Sequence, residues 1–362
     1  MDDLFLRHVT DRLGKRVFSP REDAPEELAF AASLNSFRSL RDAGWTGGVN
    51  AAGQPLRVVA GYVEAMTPNA FAEAGDGVHF VGMHDALLVT MMDLALFAFT
   101  QRNLFPTIGA AEAEDSPRPG HGGVPGLYLL QLTLAGGSIE TDRDKHRVPK
   151  DADRHIMAVY LAMHMARFVW EHELAHCRLG HADFLKRHGV VPRLSETADT
   201  LSLVQRASPF VPGRSNGDVL HAFELEADAE ALQRSLAIQL NDAENIPGIR
   251  AHDPGLRIQM AIVAAYLMTW LFEAYARHSE TPVGGSHPEP LTRLATLMST
   301  TQSVLGTLDG FAAFHQGIID QVEGLIFALG VDTRVRPTLL PILHPTQGFD
   351  ALLAPYRYQA IS

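Results

Sequence analysis

The chain has 362 residues, 46% hydrophobic and 20% charged, a globular composition with material for a sizeable core. Forty-two acidic against 30 basic residues leave a net charge of −12, which excludes nucleic acid as the main partner. Cys177 is the only cysteine, so no intrachain disulfide can form, and it reads as a small core residue.

The first residues, from Met1 to Arg7, carry acids and no sustained apolar run. No secretory signal is expected, and the chain reads as soluble and cytoplasmic. Apolar spacing predicts a helix over 26–44, stopping at Gly44. After a Gly-rich loop, residues 56–63 read as a strand. Gly75-Asp76-Gly77 is a turn signal, and 78–81 is a second short strand that can pair with the first as a hairpin. Residues 84–101 predict a helix in which Met91 and Met92 fill the core. Residues 106–125 are loop, 127–134 fit either a strand or a buried helical turn, and 140–147 are a charged, solvated loop.

A long helix is expected over about 152–187. Residues 189–218 are mostly connection, with a short helix in 195–205, and form a candidate lid. Asp218 is a candidate N-cap for a helix over 221–240. A core helix over 255–277 follows. Its most apolar part, 258–272, falls short of the ~20 residues that span a bilayer, so no membrane segment is expected. A loop at 279–290, helices to about 330 and an irregular tail from Pro337 complete the chain. The fold class is mainly α with a small β-sheet (α+β). The organisation expected is an N-terminal helical segment (1–50), a central domain (51–300, with an inserted region at about 100–150) and a C-terminal helical segment and tail (301–362).

The chemistry concentrates in Trp170-Glu-His-Glu-Leu-Ala-His176. H-E-x-x-H places His172 and His176 four apart, on one helix face, where both imidazoles reach one metal ion. Glu173 can hold and deprotonate a metal-bound water. The preceding helix is apolar nearly all round, so the motif is expected to be buried, where polar groups need partners. The third ligand is sought downstream in Phe223-Glu-Leu-Glu-Ala-Asp228, where Glu224 fits. Asp228, one turn on, can accept a hydrogen bond from a ligand imidazole. Glu226 and Glu230 lie on other faces and are expected in solvent. His181, His221 and Asp228 are rival ligands. The form with a third histidine, H-E-x-x-H-x-x-G-x-x-H, needs Gly at 179 and His at 182, and the chain has Leu179 and Ala182. A shift of one residue is about 100° of helix rotation.

H-E-L-A-H with F-E-L-E-A-D downstream resembles the gluzincin metallopeptidases of the HtpX and CAAX-prenyl-protease type. Asn69-Ala-Phe-Ala followed by Gly77-Val-His-Phe-Val is similar to that family's segment and edge strand above the metal. Ser286-His-Pro-Glu-Pro-Leu-Thr-Arg-Leu294 is similar to its H-P-x-x-x-R-I element. The chain departs from the HtpX type in its missing membrane helices, and its inserted region at about 100–150 and Gly180-His181 after the motif resemble the phage-exclusion Lit peptidase group.

The resemblance implies a zincin-like core with a buried motif helix, a second ligand helix and an edge-strand hairpin. It implies one zinc ion on His172, His176 and Glu224, with Glu173 as base and Asp228 behind the ligands. His287 and Arg293 are candidates for stabilising an oxyanion, or Arg293 pairs with an acid near the site. Asn69, Ala70, Val78 and Phe80 would lie along a protein or peptide substrate held by strand addition. The alternatives are a non-peptide zinc hydrolase, a latent effector that needs a partner, and a structural zinc closed by His181 or His221.

Overall fold

In the computed structural model the described residues are 3–23, 27–42, 48–117, 147–189, 193–195, 210, 214–278, 288, 290–329 and 353–359. The helices are α1 (Asp3–Arg7), α2 (Leu28–Leu40), α3 (Asp85–Phe99), α4 (Ala152–Arg178), α5 (His181–Arg187), α6 (Asn216–Leu240), α7 (Pro247–Arg250), α8 (Pro254–His278), α9 (Pro290–Leu305) and α10 (Phe311–Ala328). The strands are β1 (Arg16–Phe18), β2 (Val58–Glu64), β3 (Ala70–Ala74), β4 (His79–His84) and β5 (Arg193–Ser195). The fold is mostly helical with one small mixed sheet, the α+β class expected.

The sheet runs β1-β2-β4-β3-β5. β2 and β4 pair in parallel, not as the hairpin expected of them. The hairpin is β3 with β4. Its turn is tight: the Gly75 N–H meets the Val78 carbonyl at 2.8 Å, and Gly77 sits at φ +72°, which favours glycine. That turn joins 74 to 79 directly, whereas β2 must pass through β3 before it reaches β4. The residues at 69–74 carry alternating small and large side chains. Ala70 and Ala72 join the main core, while Phe71 packs with Phe5 and Val9 beneath the other face.

α4 is the central element, packed against α3, α6, α8, α2 and the sheet. Asp151 caps it by accepting from the Arg154 N–H, a contact worth about 1 kcal/mol. Arg154 is itself fully buried and donates to the carbonyls of Phe99, Gln101, Leu104, Phe105 and Ile108, closing the loop after α3 onto the start of α4. Trp170 stacks on Phe37 at 5.2 Å and donates its indole N–H to Ser33, which fixes α2 on α4. One buried cluster runs from Leu34 and Phe37 through Met165 and Val169 to Ile318 and Leu325. Met91 lies within it and Cys177 is fully buried, as expected of both.

Three boundaries differ from expectation. The motif helix does not run to 187: it stops at Arg178 with Leu179 as its C-cap, because Gly180 adopts φ +80°, and α5 starts at His181. α6 begins earlier than 221. Its N-cap is Ser215, and Asp218 is the reciprocal partner at the third helical position of a capping box. Ser195, expected to open a helix, ends β5. Within α8, 254–272 is apolar and long enough to cross a membrane by length and composition alone, yet 78% of it is buried in the fold. The segments 127–134 and 140–146, and the tail from Pro337 to 352, lie outside the described residues, as does most of the connection between α5 and α6.

Candidate metal centre

α4 and α6 pack side by side and bring His172, His176 and Glu224 together, all three buried. The two imidazole Nε2 atoms are 3.1 Å apart. Glu224 Oε2 lies 3.4 Å from His172 Nε2, and Oε1 lies 3.5 Å from His176 Nε2. A tetrahedral ion with bonds of 2.0–2.1 Å separates its ligand atoms by about 3.3 Å. The donor set therefore fits one metal ion.

The hydrogen bonds behind the ligands give the same answer. His172 Nδ1 is 3.0 Å from Asp228 Oδ1. Asp228 is fully buried, and both its oxygens are held at 2.7 Å by Arg293. Burial pushes the Asp228 carboxyl up, but Arg293 and then His172 outweigh it and hold it below the usual range. As a carboxylate it only accepts, so His172 donates from Nδ1. On the other side His176 Nδ1 lies 3.0 Å from His181 Nδ1, and His181 Nε2 lies 3.0 Å from Glu226 Oε2. Glu226 in turn receives Arg357. Burial lowers the pKa of His181 and so favours its neutral imidazole. A neutral His181 that donates its Nε2–H to Glu226 can only accept at Nδ1, so His176 donates. Both imidazoles turn Nε2 toward each other and toward the Glu224 carboxylate. Three donor residues at this spacing in a buried site could hold a metal ion.

Glu173 follows His172 on α4 and is 1% exposed. Glu171, on the other side of His172, is pushed up by burial and paired with Arg234 at 3.1 Å. Arg178 pairs with Glu230, so the outer faces of α4 and α6 are joined as well.

Several expectations are corrected. Glu226 and Glu230 are half-buried and ion-paired, because α5 and Arg178 cover the faces that α6 alone would leave in solvent. His181 is not turned to the ligand group; it meets His176 from behind. Arg293 spends both prongs of its guanidinium on Asp228, the acid-pairing role of the two considered for it. The substrate strand is also corrected. β4 is an interior strand, paired with β2 on one side and β3 on the other, so its backbone has no edge for strand addition. Val78 and Phe80 pack on the sheet face that carries Phe5 of α1, where Phe80 stacks on His8 just after that helix, away from α4. The outer edge of β3 pairs with β5 over residues 71–73. Asn69 and Ala70, just before that pairing, are buried. His287 lies outside the described residues. Among the described residues His221 is not part of the donor group.

Sequence reasoning passed over Glu226 and Arg357 as parts of the site. Glu226 is two residues from Glu224, on another face of the helix, and neither it nor Arg357 has a local sequence signal that points to the site. No family model, curated protein or solved structure matches this chain.

Proposed function

We propose that the chain is a zinc-dependent peptidase of gluzincin type, and the observation that carries the reading is the three-donor group with Glu173 on the same helix. A zinc ion bound there would polarise a scissile carbonyl and make an adjacent water acidic enough to attack near neutral pH. Glu173 serves as general base. Its carboxylate accepts the proton of the attacking water and returns it to the leaving amine. Asp228 and Arg293 keep His172 in the tautomer that leaves Nε2 bare. Burial of Glu173 and the ligands excludes bulk water, which strengthens each of these electrostatic contacts.

One observation favours a second reading, a latent form of the same enzyme. β5 occupies the outer edge of β3 at residues 71–73, the position where an extended substrate would otherwise add a strand. The test is the substitution Glu173→Gln, with metal content and cleavage of a peptide library measured together. The peptidase reading expects metal in both proteins and cleavage by wild type alone. Metal in both with cleavage by neither favours the latent form. Cleavage by Glu173→Gln at the wild-type rate rejects the role given to Glu173.

A further inference from the structure

The sequence weighs His181 as a ligand, and the structure gives it another part. Its ring is 0% exposed and lies flat on Phe223, with centroids 4.2 Å apart and planes 2° from parallel. Its edge links His176 to Glu226, with both contacts at 3.0 Å. Glu226 is held from behind by Arg357, which belongs to the distant C-terminal segment 353–359. That segment is anchored independently of Arg357. The Tyr358 N–H donates to the Arg178 carbonyl at the end of α4, and Gln359 pairs with Val49 in both directions, all at 2.8 Å.

The two ligand imidazoles are thus backed unequally. His172 meets a carboxylate directly, whereas His176 reaches one through a second imidazole. Groups behind a ligand fix its tautomer and ring plane, and their loss typically costs 10–100-fold in metal affinity. We infer that His181 is a positioning residue of the metal centre, acting on His176, and that Glu226 and Arg357 make segment 353–359 a structural part of that centre. Arg357 orients Glu226, Glu226 accepts a hydrogen bond from the His181 Nε2–H, and His181 Nδ1 accepts one from the His176 Nδ1–H. The inference rests on the metal-centre reading above.

A packing role and a positioning role for His181 predict opposite orders for two substitutions. His181→Phe keeps the stack on Phe223 and removes the acceptor. His181→Asn gives up the stack but offers a side-chain oxygen where Nδ1 was. Zinc affinity is read by competition with a chelator for wild type, both variants, Arg357→Ala and the control His172→Ala, with thermal melting of the metal-free proteins alongside. His181→Phe is expected to bind 10–100-fold more weakly, His181→Asn to recover most of that loss, and Arg357→Ala to weaken binding in the same direction. Should His181→Phe fail to fold, Arg357→Ala decides, and unchanged affinity there overturns the inference. Wild-type affinity in His181→Phe, or equal loss in both His181 variants, also overturns it. If wild type takes up no zinc, or His172→Ala binds as tightly as wild type, the metal centre itself is rejected and the inference with it.

Discussion

Both oxygens of Asp228 are held at 2.7 Å by the guanidinium of Arg293, in a place where neither side chain meets solvent. The pair joins α9 to α6 directly behind the His172 ligand. Arg293→Ala leaves a buried carboxylate without its charge partner, at a cost of about 3–5 kcal/mol. It also loosens the His172 ring, so zinc affinity falls as well. Equilibrium unfolding in urea checks the first effect, and a loss below about 1 kcal/mol contradicts the importance given to the pair.

Acid stability follows from a second buried cluster, away from the metal centre. Arg167 grips Glu244 through two hydrogen bonds, and His164 lies beside them. Burial and then Arg167 push His164 down to about 3 from an ordinary 6.5. The unfolded chain gains that proton below about 6.5 and the folded chain only near 3, so stability falls as pH drops through this window. Burial alone would raise Glu244, but Arg167 overrides it and brings the carboxyl to about 2, from 4.5. Its stabilisation is complete above about 4.5 and is lost as pH falls toward 2, which is the same sense. Glu244 alone corresponds to roughly 3 kcal/mol. Urea midpoints measured at pH 7, 5 and 4 should fall steadily, and Glu244→Gln should be less stable at pH 7 with a shallower decline. A flat wild-type profile contradicts this.

Much of the centre is legible in the sequence because helix geometry is local. His172 and His176 share a face by period alone, and so do Glu224 and Asp228 on α6. What the sequence hides depends on contacts between distant segments. The meeting of Glu226 with His181 and Arg357 spans up to 131 positions and has no local signature. The parallel pairing of β2 with β4 is hidden for the same reason, since both strands are short and either order satisfies the apolar pattern. Gly180 could have been read as a helix stop, yet the apolar spacing continues past it into Phe184 and Leu185.

Gly180 is left-handed and tightly enclosed. A Cβ there would lie 2.5 Å from the Tyr356 Cβ and 2.6 Å from its carbonyl carbon. Gly180→Ala therefore combines a backbone penalty of about 1–2 kcal/mol with displacement of segment 353–359. The melting temperature of the metal-free protein should drop by several degrees. An unchanged melting temperature means that the segment does not rest on the turn after α4.

Cys177 follows the candidate ligand His176, but its thiol is fully buried and burial raises it well above its ordinary range. A thiol reagent such as Ellman's should leave it unmodified in the folded protein and modify it rapidly in denaturant. Rapid modification under native conditions contradicts the core placement.

The proposed function turns on whether His172, His176 and Glu224 hold one metal ion. Elemental analysis of purified wild type, His172→Ala and Glu173→Gln tests it most directly. About one zinc per chain is expected in wild type and Glu173→Gln, and its loss from His172→Ala. A folded wild type without stoichiometric metal, or a His172→Ala variant that keeps it, contradicts the account.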